Sequence, residues 1–321
     1  MTVRVASLFP GATEIMCALG LGERLVAVSH ACELPGELEG LPRVTRSWLP
    51  EGAPSGEIDR AVREHARAGR PLYALDAEGL AAAAPDLILT QRLCGVCAVS
   101  DGEVRAVLRA LPGAPALLDL EPRGLADVLG AIRAVARATG AAGAGERLVN
   151  GLSARIARVA ARSERMARRP VVAFLEWLDP IFAGGHWNPE LVRLAGGVDP
   201  LGRPGEAAGT VSWAEVAACE PDALFVACCG YDEEHTVADL ALLAARAGEE
   251  WDALPAVRAG RVHVVDGTRF FSRPGPALVD GLELLAHALD PDAHASPARG
   301  TPAPAVGIDD LRRTLAAAAD Q

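Results

Sequence analysis

Apolar positions along this chain alternate between short continuous runs and longer stretches spaced three to four apart, the signature of buried strands interleaved with helices. Residues 3–9 read as a buried strand, followed by Pro10-Gly11 and a helix over 12–19 that Gly20 and Gly22 close. A second strand at 25–29 leads into His30-Ala31-Cys32-Glu33-Leu34-Pro35, which has no apolar period. Residues 36–56, with Trp48 among scattered Gly and Pro, read as irregular; 58–68 reads as a short helix and 72–75 as a short strand. A clear unit follows: helix 77–84, a Pro85-Asp86 break, strand 87–90, and the loop Gln91-Arg92-Leu93-Cys94-Gly95-Val96-Cys97. Helix 102–111, strand 116–118 and helix 125–138 complete this half.

The longest periodic stretch runs over residues 145–168, with Leu148, Leu152, Ile156 and Val159 on one stripe and Arg147, Arg155, Arg158, Arg162 and Arg165 around it. Pro170 ends it by removing a backbone donor. A helix of that length rises roughly 35 Å, enough to cross a domain. Beyond it the scheme repeats: strand 171–174 ending in Leu175-Glu176-Trp177, helix 188–194 closed by Gly196-Gly197, helix 213–218, strand 223–227, strand 261–265 and helix 276–289. AAAAPDLILTQRLC and AACEPDALFVACCG are one helix–Pro-Asp–strand–cysteine unit used twice, a divergent internal repeat. The expected architecture is α/β, with two Rossmann-like parallel-sheet lobes joined by one long interlobe helix and a cleft between them. The boundaries are an N-terminal lobe at 1–143, the helix at 144–169, a C-terminal lobe at 170–290, and a Pro/Ala linker with a short helix (308–318) at 291–321.

Composition narrows the function. Half of the 321 residues are hydrophobic and 23% are charged, a globular balance. A net charge of −11 with no basic block excludes binding along a nucleic-acid backbone. The chain has no lysine, which excludes Schiff-base chemistry and a phosphate-loop lysine. No window approaches the ~20 apolar residues of a membrane span. The opening MTVRVASLFPGATE shows no signal-peptide pattern, so a cytoplasmic location is expected. Seven cysteines in a reducing compartment point to ligands, reactive thiols or small buried hydrophobes rather than disulfides.

Ligands of open parallel sheets bind beyond the carboxyl ends of the strands, and the unusual residues of this chain fall there. Cys94 and Cys97, three apart, can point at one metal or form a redox pair. Cys32 follows the second strand of the same lobe, and Cys228 and Cys229 follow the matching strand of the other. Their convergence would give a thiolate set suited to zinc or an iron–sulfur cluster; the competing expectation makes Cys228 and Cys229 core residues. Cys17 and Cys219 fall on apolar helix faces and read as packing. Trp177 and Trp187 could stack a planar ligand, with Glu176, His186 and His30 as polar partners and Tyr231 in the loop after the repeated strand. Phe270-Phe271-Ser272-Arg273-Pro274 suits gripping an anionic group through Arg273, with Phe271 beside it. His65, His263, His287 and His294 read as surface or helix positions, and His235 as solvated. No G-x-S-x-G, G-x-G-x-x-G or phosphate-loop motif is present.

RVASLFPGATEIMCALGLGERLVAVSHACELP, PDLILTQ, FLEWLDPIFAGGHWNPELVRLAGG and PAVRAGRVHVVDGTRFFSRPGPALVDGLELLAHAL resemble the cobalamin-type solute-binding proteins of ABC importers, over about residues 3–290. The resemblance implies two α/β lobes bridged by one helix, and a small metal-containing ligand: a corrinoid, siderophore or heme. Arg273 matches the ligand-side arginine of the family's final loop. Where cobalamin binders carry aromatics, this chain has Ala31 and Gln91 with Cys32, Cys94 and Cys97 nearby. Of the two docking glutamates, Glu78 resembles the first, while the second falls on Ala214 with Glu215 one residue late; with no export signal, this argues against docking on an importer permease.

The leading expectation is therefore a soluble binding protein holding a corrinoid or another metal-containing ligand, rather than an enzyme. Its rival is a cytosolic metalloprotein with a cysteine-ligated zinc or iron–sulfur centre, with Glu176 or His186 as acid or base. A Cys94/Cys97 redox dithiol ranks last.

Overall fold

The computed structural model describes residues 2–91, 113–295 and 314. The chain divides into two units, one of Met1–Glu51, Arg60–Gly151 and Pro274–Pro276, the other of Gly52–Asp59, Leu152–Arg273 and Ala277–Gln321.

In the first unit β1 (Val5–Ser7) leads into α1 (Pro10–Ala18), whose first turn uses proline where no backbone donor is needed. β2 (Leu25–Val28), β3 (Thr45–Ser47), α2 (Ser55–Arg67), β4 (Tyr73–Leu75), α3 (Ala77–Ala83), β5 (Leu87–Thr90), β6 (Ala116–Asp119) and α4 (Leu125–Ala138) follow. The sheet runs β2-β1-β5-β6, all parallel, and β3 and β4 form a separate antiparallel pair. Side chains alternate across these strands, so Ala6, Leu8, Ala27 and Ile88 pack on Leu80 and Ala83 of α3. The buried stripe of α4 (Leu125, Val128, Ile132, Val135) packs with α1.

α5 (Ala142–Ser163) is the long helix, and the boundary between units falls inside it. It stops five residues before Arg168, where the chain turns and Met166 packs on Gly196. In the second unit β7 (Val172–Leu178) turns back through Asp179-Pro180 into β8 (Ile181–Ala183). Then come α6 (Asn188–Leu194), α7 (Trp213–Ala218), β9 (Ala223–Val226), α8 (Glu233–Ala247), α9 (Glu249–Ala253), α10 (Pro255–Arg258), β10 (Val262–Val264), α11 (Gly267–Phe270) and α12 (Ala277–Leu289). This sheet runs β10-β9-β7-β8, parallel except for the β8 hairpin strand. One face (Ala173, Leu175, Trp177, Leu224, Val226, Cys228) packs on Leu240, Leu243 and Trp251 of α8 and α9. On the other, Phe174, Phe225 and Phe271 meet with ring centroids 5.3–5.5 Å apart. Arg155 of α5 pairs with Asp280 and Glu283 of α12.

The repeated Pro-Asp unit is a register clip. In the first unit Ala84 takes a left-handed φ of 42°, Pro85 follows, and Asp86 Oδ2 accepts the Arg4 N–H at 2.9 Å. In the second Glu220 takes φ 45°, Pro221 follows, and Asp222 Oδ2 accepts the Val171 N–H at 2.8 Å. In both cases the Asp N–H and the next N–H return to the carbonyl of that same residue, at 2.8 and 3.1 Å. Each pair of central strands is thus fixed in register before its first ladder bond.

Residues 36–56, read from the sequence as irregular, contain β3, which is too short to show a period. The β8 strand and the helices α8 to α10 also lack a sequence assignment. The helices expected at 102–111 and 308–318 lie outside the described residues, apart from residue 314.

Candidate functional site

The loops beyond the strand ends of the first unit carry His30 and Cys32. His30 is half-buried, its backbone N–H and Nδ1 both meet Thr45 Oγ1 (2.9 and 2.7 Å), and its ring packs on Tyr73 with centroids 5.5 Å apart. Burial, then the nearby Arg43 charge, holds its pKa below the ordinary histidine value, so the ring is neutral at pH 7. Arg43 Nη1 draws the loop together by donating to the carbonyls of His30 and Cys32 (2.7 and 2.9 Å).

Cys32 is buried, 3.1 Å from Thr13 Oγ1. The Thr13 hydroxyl donates to Ser7 Oγ (2.8 Å), and Ser7 donates to the Phe9 carbonyl (3.1 Å). Either atom of the Thr13–Cys32 contact can be the donor. Cys32 thus closes a buried Ser7–Thr13–Cys32 cluster of polar side chains. The ligand expectation for Cys228 is corrected, and its competing place in the core is what the structure shows. Cys228 is fully buried in the core beside Leu224 and Val226, hydrogen-bonded with Thr236, and burial pushes its thiol well above the usual value. Cys229 is exposed. Cys94 and Cys97 lie outside the described residues. Among the described residues no group of three or more His, Cys, Asp or Glu side chains could hold a metal ion.

The aromatic residues expected to stack a ligand in the second unit serve its interior instead. Trp187 is 4% exposed and its indole N–H donates to the Phe271 carbonyl at 2.7 Å. Phe271 is buried in the phenylalanine cluster, and Trp177 lies in the core against Tyr231, centroids 5.2 Å apart. Tyr231 donates its hydroxyl to the Ala53 carbonyl at 2.6 Å, and burial raises its pKa. Glu176 Oε2 accepts the Gly185 N–H (3.0 Å) and an Asn188 Nδ2–H (2.7 Å), holding the Gly-Gly-His-Trp-Asn loop. At the centre of that loop His186 takes φ +50°, with its N–H on the Glu206 carbonyl and its carbonyl on the Gly205 N–H. A left-handed non-glycine residue costs about 1 kcal/mol or more, so the surrounding bonds must impose it. His186 and Arg273 are half-buried. Two histidines read as surface positions are interior: His263 lies in β10 beside Phe225, and His294 meets Ser163 Oγ at 3.2 Å.

The sequence reading missed a candidate platform. Arg46 and Trp48 lie two residues apart, on one face of β3 and its extension, and Trp48 is 48% exposed. The Arg46 guanidinium sits 4.1 Å from the Trp48 ring centroid. The detectable signal was an i, i+2 pair of Arg and Trp in a short extended run.

The family pattern of the periplasmic binding proteins matches residues 5–268. This chain belongs to the periplasmic binding protein family. Vitamin B12-binding protein of Vibrio cholerae serotype O1 is 25% identical over 289 residues, covering 88% of this chain and 87% of the relative. Among solved structures, a periplasmic heme binding protein from Pseudomonas aeruginosa superposes with TM-score 0.69 at 19% identity, covering 91% of this chain and 94% of that one. The periplasmic vitamin B12 binding protein of V. cholerae gives TM-score 0.63 at 23% identity, covering 89% and 96%. These likenesses establish the fold.

Within this periplasmic binding protein the two helices that precede the Pro-Asp clips can be aligned by their caps. Asp76 caps α3 and Ser212 caps α7, each eight residues before the left-handed residue. Glu78 and Ala214 therefore occupy the same second helical position. Glu78 is exposed, whereas Glu215, one place on, is tied into a capping box by the Ser212 N–H and hydroxyl (2.7 and 2.8 Å). Those two bonds, the backbone one first, hold its carboxyl below the usual range.

Proposed function

We propose that this protein binds a small metal-containing tetrapyrrole, a corrinoid in the first instance. What carries the reading is the 25% identity to a vitamin B12-binding protein along nearly the whole length of both chains. The Arg46–Trp48 pair supports it, because an exposed indole beneath a guanidinium offers a flat, cationic face to a planar ring with anionic or amide substituents. In the second unit Arg273 and His186 are the side chains best suited to polar contact.

Heme is the second reading, favoured by the higher TM-score of the P. aeruginosa heme binding protein. A cysteine-ligated zinc or iron–sulfur centre has no such support: Cys228 lies in the core, and among the described residues no group of three or more His, Cys, Asp or Glu side chains could hold a metal ion.

The test is a titration of purified protein with cyanocobalamin and with hemin, each followed by calorimetry and by tryptophan quenching. Saturable one-to-one binding of cyanocobalamin, weakened about tenfold in Trp48→Ala, is the expected result. Binding of hemin alone moves the assignment to heme. Binding unaffected by Trp48→Ala removes the platform from the site.

A further inference from the structure

Residues 52–59 stand before β4 in sequence yet belong with the second unit. Their partners show where they lie. The Ala53 carbonyl accepts the Tyr231 hydroxyl at 2.6 Å. The Ser55 N–H, at the start of α2, is capped by Asp239 Oδ1 at 3.2 Å. A Cβ on Gly56 would come within 2.6 Å of Asp179 Oδ2, so only glycine lets the backbone lie this close. Ile58 packs on the second unit's core.

Asp179 directly follows β7, and Tyr231 lies in the loop that follows β9. β7 and β9 are parallel neighbours, so both loops lie at the carboxyl edge of the sheet. That edge is where ligands of open parallel sheets bind. The segment crosses it as a strap.

The strap is lightly held. Ser55 is the only buried residue of α2. Asp239 is buried, yet among the described residues its Oδ2 has no hydrogen-bond partner, so the cap is half-satisfied. Gly52, at φ +67°, supplies a pivot at the strap's start. Few buried apolar groups and few hydrogen bonds mark a segment that opens locally without global unfolding.

We propose that residues 52–59 are a releasable strap over the carboxyl edge of the second unit's sheet, latched by Tyr231 and Asp239, and that ligand reaches this edge only when the strap lifts. The gating half rests on the tetrapyrrole reading above; the latch does not. Hydrogen exchange resolved to peptides tests both on the full chain.

Without ligand, Tyr231→Phe removes one latch bond and is expected to speed exchange of the Ser55, Glu57 and Ile58 amides on the order of fivefold. Amides of β9 should be unchanged. Unchanged strap amides, or a parallel rise across the whole unit, would overturn the latch. In the wild-type protein, cyanocobalamin or hemin, whichever binds, should speed exchange of the same amides. Slower or unaltered exchange on binding would overturn the gate. If neither compound binds, the tetrapyrrole reading and the gate resting on it fall together, while the ligand-free comparison still decides the latch.

Discussion

The two sheets share their centre and differ at their margin. β1 and β5 of the first are set by Asp86 as β7 and β9 of the second are set by Asp222, with bond lengths that agree within 0.1 Å. Outside the clip the resemblance stops. β2 joins β1 in parallel through a helix, whereas β8 joins β7 as an antiparallel hairpin through Asp179-Pro180. Register at the centre depends on one local device, a left-handed residue followed by Pro-Asp. The margin depends on whichever turn the connecting sequence permits. Divergence therefore accumulates at the margin and in the loops, where binding specificity resides.

The comparison breaks most sharply if the clips are removed. Asp222→Ala and Asp86→Ala each leave a strand-leading N–H without its charged acceptor, and each should cost about 2–3 kcal/mol. Calorimetry with resolved transitions should show similar losses for both; a loss confined to one variant would mean that the clips are not equivalent. Arg168, which also pairs with Asp222, is 75% exposed and adds little.

A second difference is electrostatic. Asp199, in the second unit, has Oδ1 on the Leu201 and Gly202 N–H groups and Oδ2 buried without a partner among the described residues, and burial pushes its pKa to about 6. A folded pKa above the unfolded value of ~3.9 means that the folded state binds more protons between those two values. Its contribution is present below about pH 4 and is lost as pH rises to about 6, a swing of order 3 kcal/mol. Stability of the wild type relative to Asp199→Asn should fall over that window. A flat difference would show that Asp199 titrates normally.

The thiol chain of the first unit is a smaller lever. Thr13→Val removes the hydroxyl that meets both Ser7 and Cys32 and should cost about 1–2 kcal/mol. Peptide-resolved alkylation of native protein should label Cys229 and spare Cys32 and Cys228; rapid labelling of Cys32 would contradict its burial. The smallest effect returns to the clips. Ala84→Gly and Glu220→Gly relax a left-handed residue, and each should gain about 0.5–1 kcal/mol in thermal unfolding.

Much of the fold was legible because strands buried on both faces leave continuous apolar runs, as at 87–90 and 223–226, and because the repeat is spelled twice. The α8 helix was signalled too, by Asp232 capping before Glu233-Glu234, yet its apolar residues did not form one clear stripe. β3 and β8 were not legible: three residues carry no measurable period, and pairing decides them. The site was read less well. Cys228 continues the 224, 226, 228 alternation and could have been placed in the core by that fact. Trp177 continues 173, 175, 177 likewise. Cys32 could not have been assigned, since its partner Thr13 lies on another element. Trp48 was passed over because a run of Thr-Arg-Ser-Trp looks like loop until β4 pairs with it.

Binding itself remains the direct test. Purified protein titrated with cyanocobalamin at constant pH and salt should show one site with a dissociation constant of about 1 μM or tighter, a free energy near −8 kcal/mol. Neither heat nor quenching with cyanocobalamin or with hemin up to about 100 μM would contradict the tetrapyrrole assignment.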